Sequence, residues 1–205
     1  VIAALPGDID RWVMVAAHYD HLGVIDGETY RGADDNAAAV AILVEVARGL
    51  AAERAEGRGV IVAAFDAEEP PYFMSAAMGS EHYARHPTVA LESIDLMLCM
   101  DLVGHALGPR GLPSAVRDTV FALGAERSLG TRELLEDIDE EGVVVRVADA
   151  ALVPPLSDYA AFWERRRPFV FLTNGRSRIY HTPEDVPSEL SWSKMGATAR
   201  WLERV

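Results

Sequence analysis

Arg31-Gly32-Ala33-Asp34-Asp35-Asn36 runs straight into Ala37-Ala38-Ala39-Val40, so two adjacent carboxylates and an amide stand between a glycine turn and an apolar segment. Beyond it, Val40, Leu43, Val44, Ala47 and Leu50 recur at helical spacing, and Gly57 marks a stop. An acid pair at a buried helix start is unfavourable unless something positive holds it. Carboxylates forced together either keep a proton or bind a cation. Working outward, the chain supplies what a cation site needs: His18-Tyr19-Asp20 upstream, and Glu68-Glu69, Asp101 and His181 downstream. We read these groups as one site for two metal ions.

The segments around that stretch set the fold class. Val1 to Leu5 is a short strand closed by Pro6-Gly7. Trp12–Ala17, Val60–Phe65, Ile94–Met100 and Phe169–Leu172 are near-continuous apolar runs, the pattern of strands covered on both faces. A further short strand is expected at Val143–Val147. Helices are expected at Gly79–His86, Ser114–Gly124, Ser157–Glu164 and Trp192–Val205, with residues 22–31 as a polar loop. Strands alternating with helices predict a single α/β domain over residues 1–205, a three-layer sandwich with a largely parallel mixed central sheet. Ligand sites in such sheets lie at the carboxyl ends of the strands. His18, Glu68-Glu69 and Asp101 each fall just after an apolar run.

Size and charge narrow the function. A chain of 205 residues is long enough for one full core. The formal net charge of −13 and the lack of a basic stripe exclude a nucleic-acid partner. No apolar run is long enough to span a bilayer. Cys99 is the only cysteine, so no internal disulfide forms. No secretory signal is visible in a sequence that begins at Val1, and a soluble protein is expected, with compartment and oligomeric state open.

Zinc takes imidazole and carboxylate ligands, and its catalytic sites leave a position open for water. Two histidines and three carboxylates suffice for two metals if one carboxylate bridges. Metals roughly 3.5–4 Å apart can polarise a carbonyl and share a hydroxide. Of the neighbours Glu68 and Glu69, one can ligate while the other takes a proton from water. Asp20 can accept the free N–H of His18 and fix its tautomer. Each piece alone has an ordinary reading: Asp34-Asp35-Asn36 as a helix N-cap, Glu68-Glu69 as a solvated pair. His21, His82, His86 and His105 are read as surface or loop histidines. The run Asp137, Asp139, Glu140, Glu141 is read as a solvated face.

Five segments together resemble the co-catalytic zinc aminopeptidase family, which includes secreted bacterial aminopeptidases, glutamate carboxypeptidase II and glutaminyl cyclases. They are AAHYDHLG (16–23), RGADDNAAAVA (31–41), AAFDAEEP (63–70), LCMDLVG (98–104) and IYHTPEDV (179–186). The resemblance implies a zinc-dependent exopeptidase-like fold and a role for each matching position. Asp35 resembles the bridging ligand. His18 and Asp101 would complete one zinc, and Glu69 and His181 the other. Glu68 resembles the general base, Asp20 the partner of His18, and Tyr180 a group that stabilises the oxyanion. The chain departs from the family pattern at Tyr159, where Ser-Asp-His is common. It departs again at Ala38-Ala39, where Ser-Gly is common, and in the loop from Pro70 to Met78.

The expectation is therefore a dinuclear zinc aminopeptidase that cleaves N-terminal residues from peptides through a metal-bridging hydroxide. The alternatives are a carboxypeptidase, deacylase or one-zinc glutaminyl cyclase of the same family, or a non-catalytic receptor-like domain. Arg165, Arg166 and Arg167 are the cations a carboxylate-directed enzyme would use, although the helix dipole also explains them. Tyr72-Phe73-Met74 and the aromatic pair Tyr159 and Phe162 point to apolar N-terminal side chains.

Overall fold

The computed structural model describes residues 1–52 and 56–205. Its strands are β1 (Ile2–Leu5), β2 (Trp12–His18), β3 (Gly23–Ile25), β4 (Glu28–Tyr30), β5 (Gly59–Phe65), β6 (Ile94–Met100), β7 (Thr119–Leu123), β8 (Val144–Ala148) and β9 (Phe169–Thr173). Its helices are α1 (Ala38–Ala52), α2 (Gly79–Arg85), α3 (Ser114–Arg117), α4 (Thr131–Asp137), α5 (Ala160–Glu164) and α6 (Trp192–Leu202). A seven-stranded sheet has the order β1-β5-β2-β6-β9-β7-β8. The pairs β5–β2, β2–β6, β6–β9 and β7–β8 are parallel; β1–β5 and β9–β7 are antiparallel. The sheet is thus largely parallel and mixed, as the apolar runs predict.

Those runs are continuous because both faces of the sheet are covered. Along β2, Val15 and Ala17 join one core with Leu98, Met100, Val170 and Leu172 under α1 and α6. Their alternates Met14 and Ala16 join Met97, Cys99, Phe169 and Phe171 in a second core under α2 and α5. Period-2 alternation divides each strand between two layers. On α1 the buried stripe is Ala39, Ile42, Leu43 and Val46, an i, i+3, i+4, i+7 set. Val44, expected on that face, is 60% exposed. Burying Ile42, Leu43 and Val46 stabilises the fold by about 1.5–3 kcal/mol each. Gly57, the expected stop, lies beyond α1 at φ 93°; residues 53–55 lie outside the described residues.

Two expectations are corrected. Residues 114–124 are not one helix: α3 is a single turn, and Thr119–Leu123 pairs with both β8 and β9. A short apolar run fits either period, and Thr119 and Val120 favour the pleated choice once two neighbours offer ladders. Residues 22–31 contain the hairpin β3–β4. Its turn is Asp26-Gly27, with φ of 52° and 83°. Asp-Gly is the pair favoured where both central residues need positive φ.

Register decides where the chemistry sits. His18 pairs with Phe65, and Ala17 with Met100. The carboxyl ends of β2, β5 and β6 are therefore level, and the residues that follow them share one edge.

Candidate metal centre

The candidate groups stand at strand ends or in the loops and turns beside them. His18 is the last residue of β2. After β5 the chain turns through Ala67, φ 60°, and presents Glu68 and Glu69. After β6 comes Asp101, followed by Leu102 at φ 58°. His181 itself has φ 54°. Left-handed backbone at non-glycine residues persists only where the surroundings hold it. Gly32, φ 61°, also needs its missing side chain, because a Cβ would meet the Asp35 carbonyl at 2.2 Å and the His21 ring at 2.4 Å. Asp34-Asp35-Asn36 lies in a wide turn, Ala33–Ala37, that precedes α1, and the Asp35–Asn36 peptide is cis.

These groups converge. His18 Nε2 lies 3.5 Å from Asp35 Oδ1, 3.5 Å from Asp101 Oδ1 and 3.9 Å from Glu68 Oε2. His181 Nε2 lies 3.1 Å from Asp35 Oδ2 and 3.2 Å from Glu69 Oε2. Asp35 thus turns one oxygen to each histidine. His18, Asp35, Glu68, Glu69 and Asp101 are all buried. His18 Nε2 and Asp101 Oδ1 have no hydrogen-bond partner among the described residues. Two donors each 2.0–2.1 Å from one tetrahedral zinc stand about 3.3 Å apart. The spacings here are of that size, too long for good hydrogen bonds on the His18 side, so the donor set fits a cation between them. His18, Asp35 and Asp101 bring ligand atoms within 4.8 Å of one another, and so do His21, Asp35 and Glu69.

A buried framework aims the donors. The Asp185 carboxylate accepts from the backbone N–H of Asp34 at 2.8 Å and of Asp35 at 3.1 Å. Asp34 does not cap the helix with its side chain. Its carboxylate accepts from the Gly104 and His105 N–H groups at 2.8 and 2.9 Å and faces His105 Nδ1 at 2.6 Å. Lys194, the single lysine of the chain, is fully buried and donates to the His105 carbonyl. Asn36 Nδ2 donates to the Met100 carbonyl at 2.9 Å, tying the turn to β6.

Asp20 has a second part besides facing His18. Its backbone carbonyl lies 3.2 Å from His18 Nδ1, while its carboxylate stands 3.6 Å from that nitrogen. The carboxylate also accepts from the N–H groups of Glu68 at 3.2 Å and Glu69 at 3.0 Å. It fixes the acid pair, and the main chain orients the imidazole.

The electrostatics describe a centre with too much negative charge. Burial pushes Glu68 up to about 9; the charge of His18 opposes this, and Asp101, Asp158 and Glu69 add to it. Burial likewise pushes Asp158 up to about 6. Burial works against charge on His18, yet Asp101 and Asp20 outweigh it and raise His18 well above its ordinary value. Divalent cations would relieve this excess. Tyr180 stacks on His181 with ring centroids 3.8 Å apart, and burial, with Asp35 next, raises its hydroxyl to about 12.

Several side chains were misjudged from sequence. His21 is not a free surface histidine: its Nδ1 lies 3.0 Å from Glu69 Oε1. Its place three residues beyond His18, at a strand end, was the available signal. His105 is buried against Asp34. Asp158 is fully buried near Glu68 and His18, and the Ser157-Asp158 pair marked it. Tyr159 and Phe162 do not line a pocket. Tyr159 stacks on Phe171 and Phe169 at 4.5 and 5.0 Å, and Phe162 is fully buried. Arg165 is engaged by Glu81 at 2.7 and 2.8 Å, and Arg167 by the Glu92 and Ile94 carbonyls, so both brace the fold.

The sequence pattern described as Peptidase family M28 matches residues 1–205. The uncharacterized protein YfbL of Escherichia coli is 29% identical over 209 residues, covering 89% of this chain and 62% of that protein. A probable zinc metalloprotease of Pyricularia oryzae is 32% identical over 142 residues, covering 66% of this chain and 27% of that protein. Among solved structures, the LapA aminopeptidase of Legionella pneumophila superposes with a TM-score of 0.77 at 19% identity, over 99% of this chain and 52% of its own. BSAP, a zinc aminopeptidase of Bacillus subtilis, gives 0.72 at 21% identity, over 99% and 48%. Porphyromonas gingivalis glutaminyl cyclase gives 0.72 at 20% identity, over 99% and 75%. These likenesses are of fold, and the chain spans less than two thirds of the curated relatives and about half of the aminopeptidases.

Proposed function

The chain belongs to peptidase family M28, and on that premise we propose that it is a dinuclear zinc exopeptidase, most simply an aminopeptidase acting on peptide or aminoacyl substrates. The observation that carries this reading is Asp35, which offers one oxygen to the His18 side and the other to the His181 side. His18 and Asp101 would hold one zinc, Glu69 and His181 the other, and Asp35 both. Zinc at these positions supplies Lewis-acid polarisation of a carbonyl and acidifies water. Glu68 stands 3.9 Å from His18 and is not needed as a ligand. Burial is the main cause of its raised pKa, and Asp101 and Glu69, two of the acids that add to it, are ones that cations would neutralise, which favours its accepting a proton from the attacking water. It then returns that proton to the leaving amine. Tyr180 keeps its hydroxyl proton at neutral pH and can donate to a developing oxyanion. Asp20 holds Glu68 and Glu69 by their backbone N–H groups.

Elemental analysis of protein purified without chelator, together with hydrolysis of leucine p-nitroanilide, tests the reading. About two zinc ions per chain and turnover are expected. One zinc after supplementation, with cyclisation of an N-terminal glutaminyl peptide, would favour the cyclase alternative. No zinc and no turnover would favour a non-catalytic domain.

A further inference from the structure

The loop that follows Asp101 and the loop that follows β9 enclose a cavity of about 770 Å³, within the range of small-molecule sites. Its lining includes Arg110, Arg117, Arg176 and Arg178, against one acid, Glu189. Arg178 and Glu189 pair at 3.2 Å. Among the described residues, Arg110, Arg117 and Arg176 form no ion pair; Arg117 donates to the Gly108 carbonyl at 3.1 Å. These cations are unlike Arg165 and Arg167, whose donors are used inside the fold. In a chain of net charge −13, unpaired arginines gathered in one cavity make a local field opposite to that of the whole.

The cavity adjoins the proposed centre. The Arg176 guanidinium lies 4.5 Å over the Tyr180 ring, and Tyr180 stacks on His181. His105, on the cavity wall, is held by Asp34, the neighbour of Asp35. The two ring contacts, 3.8 and 4.5 Å, put Arg176 within about two extended residues of His181, since an extended residue spans about 3.3–3.6 Å.

We propose that this cavity is a carboxylate subsite, and that the preferred substrates are short peptides carrying a carboxylate one or two residues from the scissile bond. The chemistry is the same whether the carboxylate is the peptide's C-terminus or an acidic side chain; planar guanidinium groups bind either by charge-assisted hydrogen bonds. This rests on the peptidase reading of the centre, so the test separates the two. N-acetyl-Leu-Gly-Gly, which lacks a free amine, is titrated calorimetrically into the purified zinc-loaded protein beside its C-terminal amide and beside N-acetyl-Leu-Gly-Glu amide. In parallel, kcat/KM is measured for Leu-Gly-Gly and Leu-Gly-Gly amide.

Binding of at least one carboxylate form about tenfold tighter than the uncharged amide is expected, the scale of one charge-assisted hydrogen bond. The ratio falls toward one in Arg110→Gln and in Arg176→Gln, both exposed positions. Tighter binding of the terminal acid assigns the subsite to the C-terminus; tighter binding of the glutamyl amide assigns it to a side chain. Equal affinity of all three peptides, absence of measurable binding, or a ratio unchanged in both variants overturns the proposal. Binding discrimination without any hydrolysis keeps the subsite and overturns the peptidase reading.

Discussion

The two halves of the centre are built differently. The His18–Asp101 half rests on the ends of adjacent central strands, and the His18 side chain is 0% exposed. The Glu69–His181 half rests on loops, and the His181 side chain is 27% exposed. In the first half, His18 Nε2 and Asp101 Oδ1 are buried without partners. In the second, His181 and His21 already share Glu69. The closed half therefore needs a cation more, and the open half has room to exchange one. Asp35 joins them, with one oxygen turned to each side.

The largest expected effect separates the neighbours Glu68 and Glu69. Glu68→Gln keeps size and polarity but cannot accept a proton. Its kcat falls by about 10²–10⁴-fold with KM little changed, and zinc content stays at the wild-type value. Glu69→Gln weakens metal binding in the open half, so its activity recovers with added zinc. Steady-state kinetics with elemental analysis checks both. The reverse pattern swaps the roles, and near wild-type turnover in Glu68→Gln removes the mechanism.

The next effect is on stability, and it has a sign. Glu68 rises from 4.5 to about 9, and Asp158 from 3.8 to about 6. A group whose folded pKa is raised stabilises below its unfolded pKa and loses that contribution as pH rises through the folded value. His18 and His181, both raised from 6.5, act in the same direction. Metal-free protein therefore loses stability from about pH 5 to 9, while zinc binding strengthens over the same range because its ligands must be deprotonated. Melting curves with and without chelator should diverge with pH, by roughly 5–10 °C at pH 8 for a chain of this size. Coincident curves at pH 8 would mean that no cation is held by these groups.

A smaller effect sharpens the difference between the halves. His21→Ala removes the neighbour that faces Glu69 Oε1, and zinc affinity in the open half should fall by about 10–100-fold. Graded chelation followed by metal analysis should show one ion leaving early in this variant and the other unchanged. If both leave together, the two halves are not independent.

What could be read from sequence follows the same division. The closed half was legible because each of its donors ends an apolar run, and parallel strands bring their carboxyl ends to one edge. In the open half Glu69 is legible on the same ground, because it too follows an apolar run, whereas His181 stands in a loop that carries no periodicity and takes its role from the Tyr180-His181 resemblance. Asp20 shows why contacts escape such a reading. Its proximity to His18 in sequence points to the imidazole, which it faces, but not to the turn at Ala67 that also swings the Glu68 and Glu69 N–H groups onto its carboxylate. Tyr159 and Phe162 were misplaced because an aromatic pair next to a conspicuous acid looks the same whether it faces a pocket or a core. The strand Thr119–Leu123 was misread because its partners are distant in sequence.

The smallest effect concerns substrate choice beside the open half. Tyr72, Phe73 and Met74 follow Glu69 after Pro70-Pro71 and are 52%, 38% and 42% exposed, in a segment tied back by the Tyr72 N–H to the Glu69 carbonyl at 3.0 Å. With Tyr159 and Phe162 in the core, this loop alone carries the expectation of apolar N-terminal residues. One hydrophobic contact is worth about 1–3 kcal/mol in discrimination, and partial exposure places Phe73 at the low end. Phe73→Ala should therefore lower the ratio of kcat/KM for leucyl over alanyl substrates by only about 3–10-fold, with zinc content unchanged. The carboxylate preference proposed for the arginine cavity should be untouched, because the two act on different parts of the peptide. A wild-type enzyme that favours aspartyl, glutamyl or lysyl N-termini would remove the loop from the pocket. A Phe73→Ala variant that loses zinc would instead show that the loop props Glu69.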